Sequence, residues 1–358
     1  MPNEEAIVDT KETINAKESI SKNKWKILII TISFTFMSCL DASIVNVALP
    51  TISDKLGTSL ANVAWVVTIY LITITALIIF FGKIADLIGK TRIFGFGVII
   101  FTLGSIICGF SNSFVLLLIA RVIQAIGAAA GMSTTQGIIV ETFHHKERGR
   151  ALGISGSSVA LGNLTGPVLG GLLVSFLSWH YIFLINIPIG IIVFLFGLKY
   201  LPKDSKKLAH RKHIDGLGFI LFAMTMILLF AAVSEGEFLG YASLTIISLF
   251  IASIICFVFF VIREKHAEHP LLDLNLFKNK LFSLSIFCAF VSFFVISSNT
   301  LLLPYFIQDL LKMSPFLCGL IMLASPLIMG LVAPLSGHAS DKIGSEIITF
   351  FRINYCIN

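Results

Sequence analysis

The chain has 358 residues, 56% of them hydrophobic and only 13% charged, with a mean hydropathy of +0.93 and a formal net charge of +6. A soluble domain carries about 25% charged residues, so most of this chain faces lipid or other helices. Its apolar runs lack the roughly 10-residue alternation of outer-membrane barrels, which leaves an all-α membrane protein with many crossings.

Residues 1–24 mix acids and lysines without an apolar core, so they read as a polar cytosolic tail and not as a signal peptide. Apolar runs of roughly 17 or more residues then predict about ten spans. They are Ile27–Leu49, Val63–Phe81, Ile93–Phe110, Phe114–Val140, Ala151–Leu177, Tyr181–Leu198, Leu217–Val233, Leu239–Ile262, Leu281–Ile307 and Pro315–Gly337. Two longer loops, Lys199–Gly216 and Arg263–Lys280, divide them. The division gives a six-helix bundle over 25–200, a linker with a two-helix insert over 201–273, and an incomplete last bundle over 274–358. After Gly344 only SEIITFFRINYCIN remains, too short to span.

With the tail inside, the tail and internal loops hold 22 of the 26 Lys and Arg, while the external loops hold only Lys55 and Lys312. This is the positive-inside pattern of a multi-pass cell-membrane protein with a cytoplasmic N-terminus. It accounts for the basic balance without a nucleic-acid partner.

Two ionisable side chains of consequence lie inside the spans, Asp41 in the first and Arg121 in the fourth. A charge at the centre of a span costs about 2.5–3.5 kcal/mol on insertion scales, so each marks a functional position. A carboxyl in low dielectric is able to take up and release a proton near neutral pH. The alternative for Asp41 is a structural pair with Arg121 or a backbone contact. Ser38, one turn earlier on the same face, is placed to hydrogen-bond it, whereas Asn46 is rotated about 140° away. Arg121, Gln124, Gly127 or Ala128, and Gly131 share one face of the fourth span.

The fifth span contains LGNLTGPVLGGL, in which Gly162, Gly166 and Gly170 form one stripe at i, i+4, i+8. Such a stripe lets a neighbouring backbone approach closely, because helices in lipid associate by packing. Pro167 removes a donor in mid-span and is expected to bend the helix. The simpler reading is a small-residue packing seam with a tolerated proline.

Gly82-Lys-Ile-Ala-Asp86-Leu-Ile-Gly89 after the second span shares G-x-x-x-D-x-I-G with Gly337-His-Ala-Ser-Asp341-Lys-Ile-Gly344 after the tenth. Repeated helix bundles are the mark of secondary transporters, whose substrate site lies between the repeats.

Other chemistry is disfavoured. Gly153-Ile-Ser155-Gly156 has the serine spacing of intramembrane proteases, but no histidine inside a span could serve as base. His210-x-x-His213 and His266-x-x-His269 lie in lysine-bearing loops and read as solvated faces. Cys39, Cys108, Cys256, Cys288, Cys318 and Cys356 form neither a disulfide framework nor a metal set. No phosphate-binding glycine loop occurs. No cofactor or metal is expected.

Taken together, Leu40–Pro50, Gly82–Arg92, Arg121-Val-Ile-Gln124-Ala-Ile-Gly127, Gly162–Gly171 and Trp179–Pro188 resemble the motifs of the major facilitator superfamily. The resemblance is to its fourteen-helix drug:H+ antiporter branch and runs from about Trp25 to Gly344. It implies proton coupling at Asp41 and Arg121, and a substrate cavity near Asn46, Gln124 and Asn163. It implies an antiporter hinge at Gly162, Gly166, Pro167, Gly170 and Gly171. It also implies a cytosolic gate formed by Gly82, Asp86, Gly89, Lys90 and Arg92 with Gly337, Asp341 and Gly344. Asp86 would latch against a helix N-terminus of the opposite half, and Asp341 would meet the start of the fifth span near Arg150. Departures are Leu87 and Thr91 where basic residues are usual, and Ala125 where glycine is usual.

The expectation is therefore a major facilitator transporter with about ten of fourteen helices, a C-terminally shortened form. It would exchange protons for small amphipathic or cationic drugs across the lipid bilayer by alternating access. The alternatives are a facilitator-type permease for another small solute, or a remnant that transports nothing.

Overall fold

The computed structural model describes residues 4–202, 204, 215–268, 270–313, 321, 324, 327–329 and 332–340. Every regular element among the described residues is helical. In the order of the chain the α-helices are α1 (Glu4–Leu56), α2 (Leu60–Ile88), α3 (Lys90–Gly109), α4 (Phe114–Thr142) and α5 (Arg148–Phe176). There follow α6 (Tyr181–Leu184), α7 (Asn186–Tyr200), α8 (Gly216–Leu239), α9 (Leu244–His266) and α10 (Lys280–Tyr305).

Among the described residues eight helical stretches are long and apolar enough to cross a membrane, with α6 and α7 together forming the crossing Tyr181–Tyr200. They correspond to the first eight predicted spans. The ninth appears as α10, a helix of 26 residues that passes into a π-turn over Phe306–Leu310. The tenth lies only partly within the described residues, where 332–340 is helical. Several helices run past the predicted apolar stretches, α2 to Ile88 and α8 to Leu239, and the eighth span, expected from Leu239, starts at Leu244. Leu239 instead ends α8, because Gly240 at φ 81° takes up the left-handed conformation that breaks the helix.

The starts are capped as the sequence allows. Ser59 accepts the Asn62 N–H at 3.2 Å to begin α2, and Ser113 accepts the Leu116 N–H at 3.2 Å to begin α4. Asp215 caps α8 by accepting the Gly218 N–H at 3.1 Å. Each cap satisfies one of the first N–H groups of its helix, which have no partner within the helix itself.

α1 packs on α5, α4 and α7, while α3 and α2 both pack on α4. One core cluster gathers Phe34, Phe94 and Phe101, with Phe34 edge-on to the other two at 5.4 and 5.7 Å. A second, near the opposite helix ends, gathers Ile44, Val63, Val66, Leu117, Trp179 and Phe183. The α8–α9 hairpin lies against α2. Phe219 stacks on Phe80 at 4.1 Å, and Trp65 donates its indole N–H to Glu235 at 3.0 Å.

Candidate functional site

Asp41 is fully buried on α1, and its carboxylate collects donors from two other helices. Arg121 of α4 donates from Nη1 to Oδ2 at 2.5 Å. Gln124, one turn further along α4, donates from Nε2 to Oδ1 at 2.8 Å. Asn186, the first residue of α7, donates from Nδ2 to the same Oδ1 at 2.7 Å. The structural pair that the sequence left open is thus formed, and Arg121 too is fully buried.

Arg121 has partners beyond Asp41. Its Nε donates to the Val66 carbonyl of α2 at 3.0 Å, and its Nη1 also reaches Gln124 Oε1 at 2.6 Å. Its guanidinium lies 4.0 Å from the Tyr70 ring centroid and 5.7 Å from that of Phe183. A planar cation with several donors suits such a site, where an ammonium would leave partners unmet.

Glycines bring these groups together. A Cβ on Gly97 would come within 2.5 Å of the Gly131 backbone nitrogen, and one on Gly104 within 2.5 Å of the Gln124 backbone nitrogen. Their bare backbones let α3 lie directly on α4. That approach carries Ser105 to Gln124, whose Nε2 donates to Ser105 Oγ at 2.8 Å. The shared face of α4 therefore divides its work: Arg121 and Gln124 meet Asp41, while Gly127 and Gly131 receive α3 and the Phe34 ring.

The expected Ser38–Asp41 hydrogen bond is absent. Arg121, Gln124 and Asn186 already occupy both carboxylate oxygens, and the Ser38 hydroxyl is buried without a partner. Arg121 Nη2 and Asn186 Oδ1 are also buried and unpartnered.

The glycine stripe of α5 faces α1, the helix that carries Asp41. Gly162, Gly166 and Gly170 are buried there. A Cβ on Gly162 would lie 2.8 Å from the Phe36 carbonyl, one on Gly166 would overlap Ser43 Oγ, and one on Gly170 would lie 3.0 Å from the Ile44 carbonyl. Pro167 lies within continuous helix and is exposed, and a Cβ on Gly171 would meet nothing within 4 Å. The seam therefore uses three of the five residues named for it. Asn163 is exposed, as is Asn46, whose Nδ2 reaches the Ala42 carbonyl at 3.4 Å. Neither hydrogen-bonds Gln124, so the three cavity candidates are not joined.

Of the gate candidates, Gly89 ends α2 at φ 115°, and the Asp204 carboxylate fills the space beside it. Asp204 accepts the N–H groups of Thr91 at 3.1 Å and Arg92 at 2.9 Å, a negative charge at the positive end of α3. Lys90 pairs with Glu141 of α4 at 2.5 Å and more loosely with Asp86 at 3.9 Å. Arg92 Nη1 donates to the Ile88 carbonyl at 3.2 Å. Asp86 is exposed, and nothing packs where a Cβ on Gly82 would stand. Of the second repeat, Gly337 sits against α5: a Cβ there would run into the Gly149 carbonyl and lie 3.2 Å from Arg150 Cα. Asp341 and Gly344 lie outside the described residues, as do His210, His213 and His269. Among the described residues no group of three His, Cys, Asp or Glu is placed to hold a metal.

Sequence reasoning did not single out Asn186, Ser105, Tyr70 or Asp204 as site residues. Asn186 left a trace, a lone amide in the apolar run Tyr181–Leu198. Asp204, among lysines in a polar loop, left none.

The family model described as Major Facilitator Superfamily matches residues 31–357. Among curated relatives, the riboflavin transporter RibZ of Clostridioides difficile is 39% identical over 327 residues, covering 91% of this chain and 70% of its own length. The multidrug resistance protein Stp of Mycobacterium tuberculosis is 36% identical over 314 residues, covering 87% of this chain and 58% of its own length. The uncharacterized transporter YebQ of Escherichia coli is 34% identical over 316 residues, with 87% and 68% covered. The chain thus spans little more than half of Stp and about two thirds of the other two.

Proposed function

The chain belongs to the major facilitator superfamily, and from that membership we propose that it works as a proton-coupled exporter of small amphipathic or cationic drugs by alternating access. One observation carries the proposal. The helix that holds the buried acid is the helix on which the α5 glycine seam rides, with Ser43 two residues beyond Asp41 touching Gly162 and Gly166. A change in the charge of Asp41 alters what α1 must bind within the bundle, and the seam is the surface along which α1 and α5 can slide. A ligand or proton shifts a two-state equilibrium only by its differential affinity for the two states. Proton uptake that loosens the Asp41–Arg121 pair supplies such a difference.

In this proposal the N-terminal tail and the basic loops face the cytosol, residues 25–200 act as one bundle, and α8–α9 is its insert. Asp86, Gly89, Lys90, Arg92 and the 337–344 repeat then form the cytosolic gate. Asn46, Gln124 and Asn163 border the substrate path, and Gly162, Gly166, Pro167, Gly170 and Gly171 form the hinge. Similarity to Stp supports the drug class.

A second reading has specific support too: the riboflavin transporter matches 91% of this chain. A permease for a flavin-like solute would use the same scaffold without export. The test is reconstitution into proteoliposomes under an imposed pH gradient, with quaternary ammonium dyes and riboflavin offered separately. Export that is driven by the gradient and lost in Asp41→Asn supports antiport. Gradient-independent riboflavin movement that survives Asp41→Asn supports the permease.

A further inference from the structure

We propose that Asn186 is the positioning residue that follows the proton on Asp41, donating to the ionised carboxylate and turning its amide over to accept from the protonated one. The inference rests on the proton-coupling role proposed for Asp41.

Protonation converts a carboxylate oxygen from an acceptor into a donor, and in a fully buried site the new O–H needs an acceptor among the surrounding side chains. Oδ2 faces the Arg121 guanidinium, which has only donors, so the proton belongs on Oδ1. Two amides meet Oδ1. Gln124 is fixed at both ends, its Oε1 held by Arg121 at 2.6 Å and its Nε2 by Ser105 at 2.8 Å. Turning it over would break both. Asn186 has no such tie: its Oδ1 is fully buried, two bonds from the Nδ2 that touches Asp41, and has no partner. A half-turn about its last side-chain torsion puts that oxygen where the N–H now stands. The unmet acceptor of one protonation state is the required acceptor of the other.

The remaining groups around Asp41 do not offer this exchange. α4 contributes the Arg121 cation, α2 the Tyr70 ring, whose hydroxyl faces the Ser38 carbonyl at 3.4 Å, and α3 the Cys108 thiol, which faces Gln124 at 3.8 Å. Cys39 lies on α1 itself, toward Gly162. The Ser38 hydroxyl is the one competitor, and it makes no bond to Asp41.

The experiment is infrared spectroscopy of the full chain in lipid as the pH is lowered, with the Asp41 carboxyl band identified by its loss in Asp41→Asn. In the unaltered protein the protonated band stands at a hydrogen-bonded position. In Asn186→Leu, which keeps the bulk and removes the acceptor, the band is expected to move to higher wavenumber, and Ser38→Ala is expected to leave it in place. Asn186→Val gives the same reading if the leucine variant does not reach the membrane. An unmoved band in the Asn186 variants, or a move in Ser38→Ala instead, overturns this inference alone. No protonated Asp41 band at any pH overturns it together with the proton-coupling role.

Discussion

Ser43 on α1 donates its hydroxyl to the carbonyl of Gly162 on α5 at 3.3 Å, and its Oγ sits where Gly166 would carry a Cβ. Its one proton is shared with the Leu40 carbonyl at 3.1 Å, so a single small side chain touches both helices at the level of Asp41. Interhelical hydrogen bonds of this kind contribute about 0.6 kcal/mol on average, so the seam depends mainly on close packing. It holds the helices together without locking them.

Gly166→Ala is expected to push α5 off α1 and lower the thermal midpoint in detergent. Overpacking a close interface costs about 1–3 kcal/mol. Gly171→Ala, where nothing lies within 4 Å of the added carbon, is expected to leave the midpoint unchanged. Ser43→Ala in the Gly166→Ala background should recover part of the loss, since it removes the atom that the new methyl meets.

Arg121→Leu leaves a buried carboxylate without its cation and is expected to destabilise the bundle by about 3–5 kcal/mol. Asp41→Asn combined with Arg121→Leu should recover part of that loss, because no buried charge then stands alone. Unfolding in denaturant, read as a double-mutant cycle, checks both. Arg121→Lys should not rescue, since an ammonium cannot meet Val66, Gln124 and Asp41 with one planar fork.

Gly89→Ala places a methyl group in the Asp204 carboxyl at a backbone φ of 115°, and is expected to destabilise by more than the roughly 1 kcal/mol that a helix cap contributes. Asp204→Ala removes the acceptor for Thr91 and Arg92 and should cost about that 1 kcal/mol. Both variants should speed tryptic cleavage after Lys90 and Arg92, a measurement that reads the loosened start of α3 directly.

Acidification should weaken the base of the α8–α9 hairpin. Burial pushes the Asp215 carboxyl up, but the Gly218 N–H and the Arg263 guanidinium at 3.0 Å outweigh it and hold it below its ordinary 3.8. A carboxyl lowered by folding stabilises fully above its unfolded value, and that contribution fades as pH falls through the folded one. The thermal midpoint should therefore drop below about pH 4, and the Asp215-dependent part of that drop should be missing in Asp215→Asn.

Crossings and the two candidate charges were legible because each is a property of local composition. A run of apolar residues long enough for the bilayer must be a helix wherever its neighbours lie. The glycine stripe was equally legible, since i, i+4, i+8 spacing fixes a face. Its partner was not: that Gly162, Gly166 and Gly170 lie on α1, and on the segment that carries Asp41, depends on how the helices are arranged about one another.

The same limit applies to Asn186 and Asp204. One amide and one acid acquire meaning only from groups 145 and 112 or more positions away along the chain. Sequence by itself determined that this is a helical membrane protein with an acid and a base in its spans, because desolvation makes such residues rare. Tertiary structure alone decided that the acid and base pair, that an asparagine shares the acid, and that the glycine seam runs beside them. Hydrogen bonds between distant segments have no periodicity for a sequence to record.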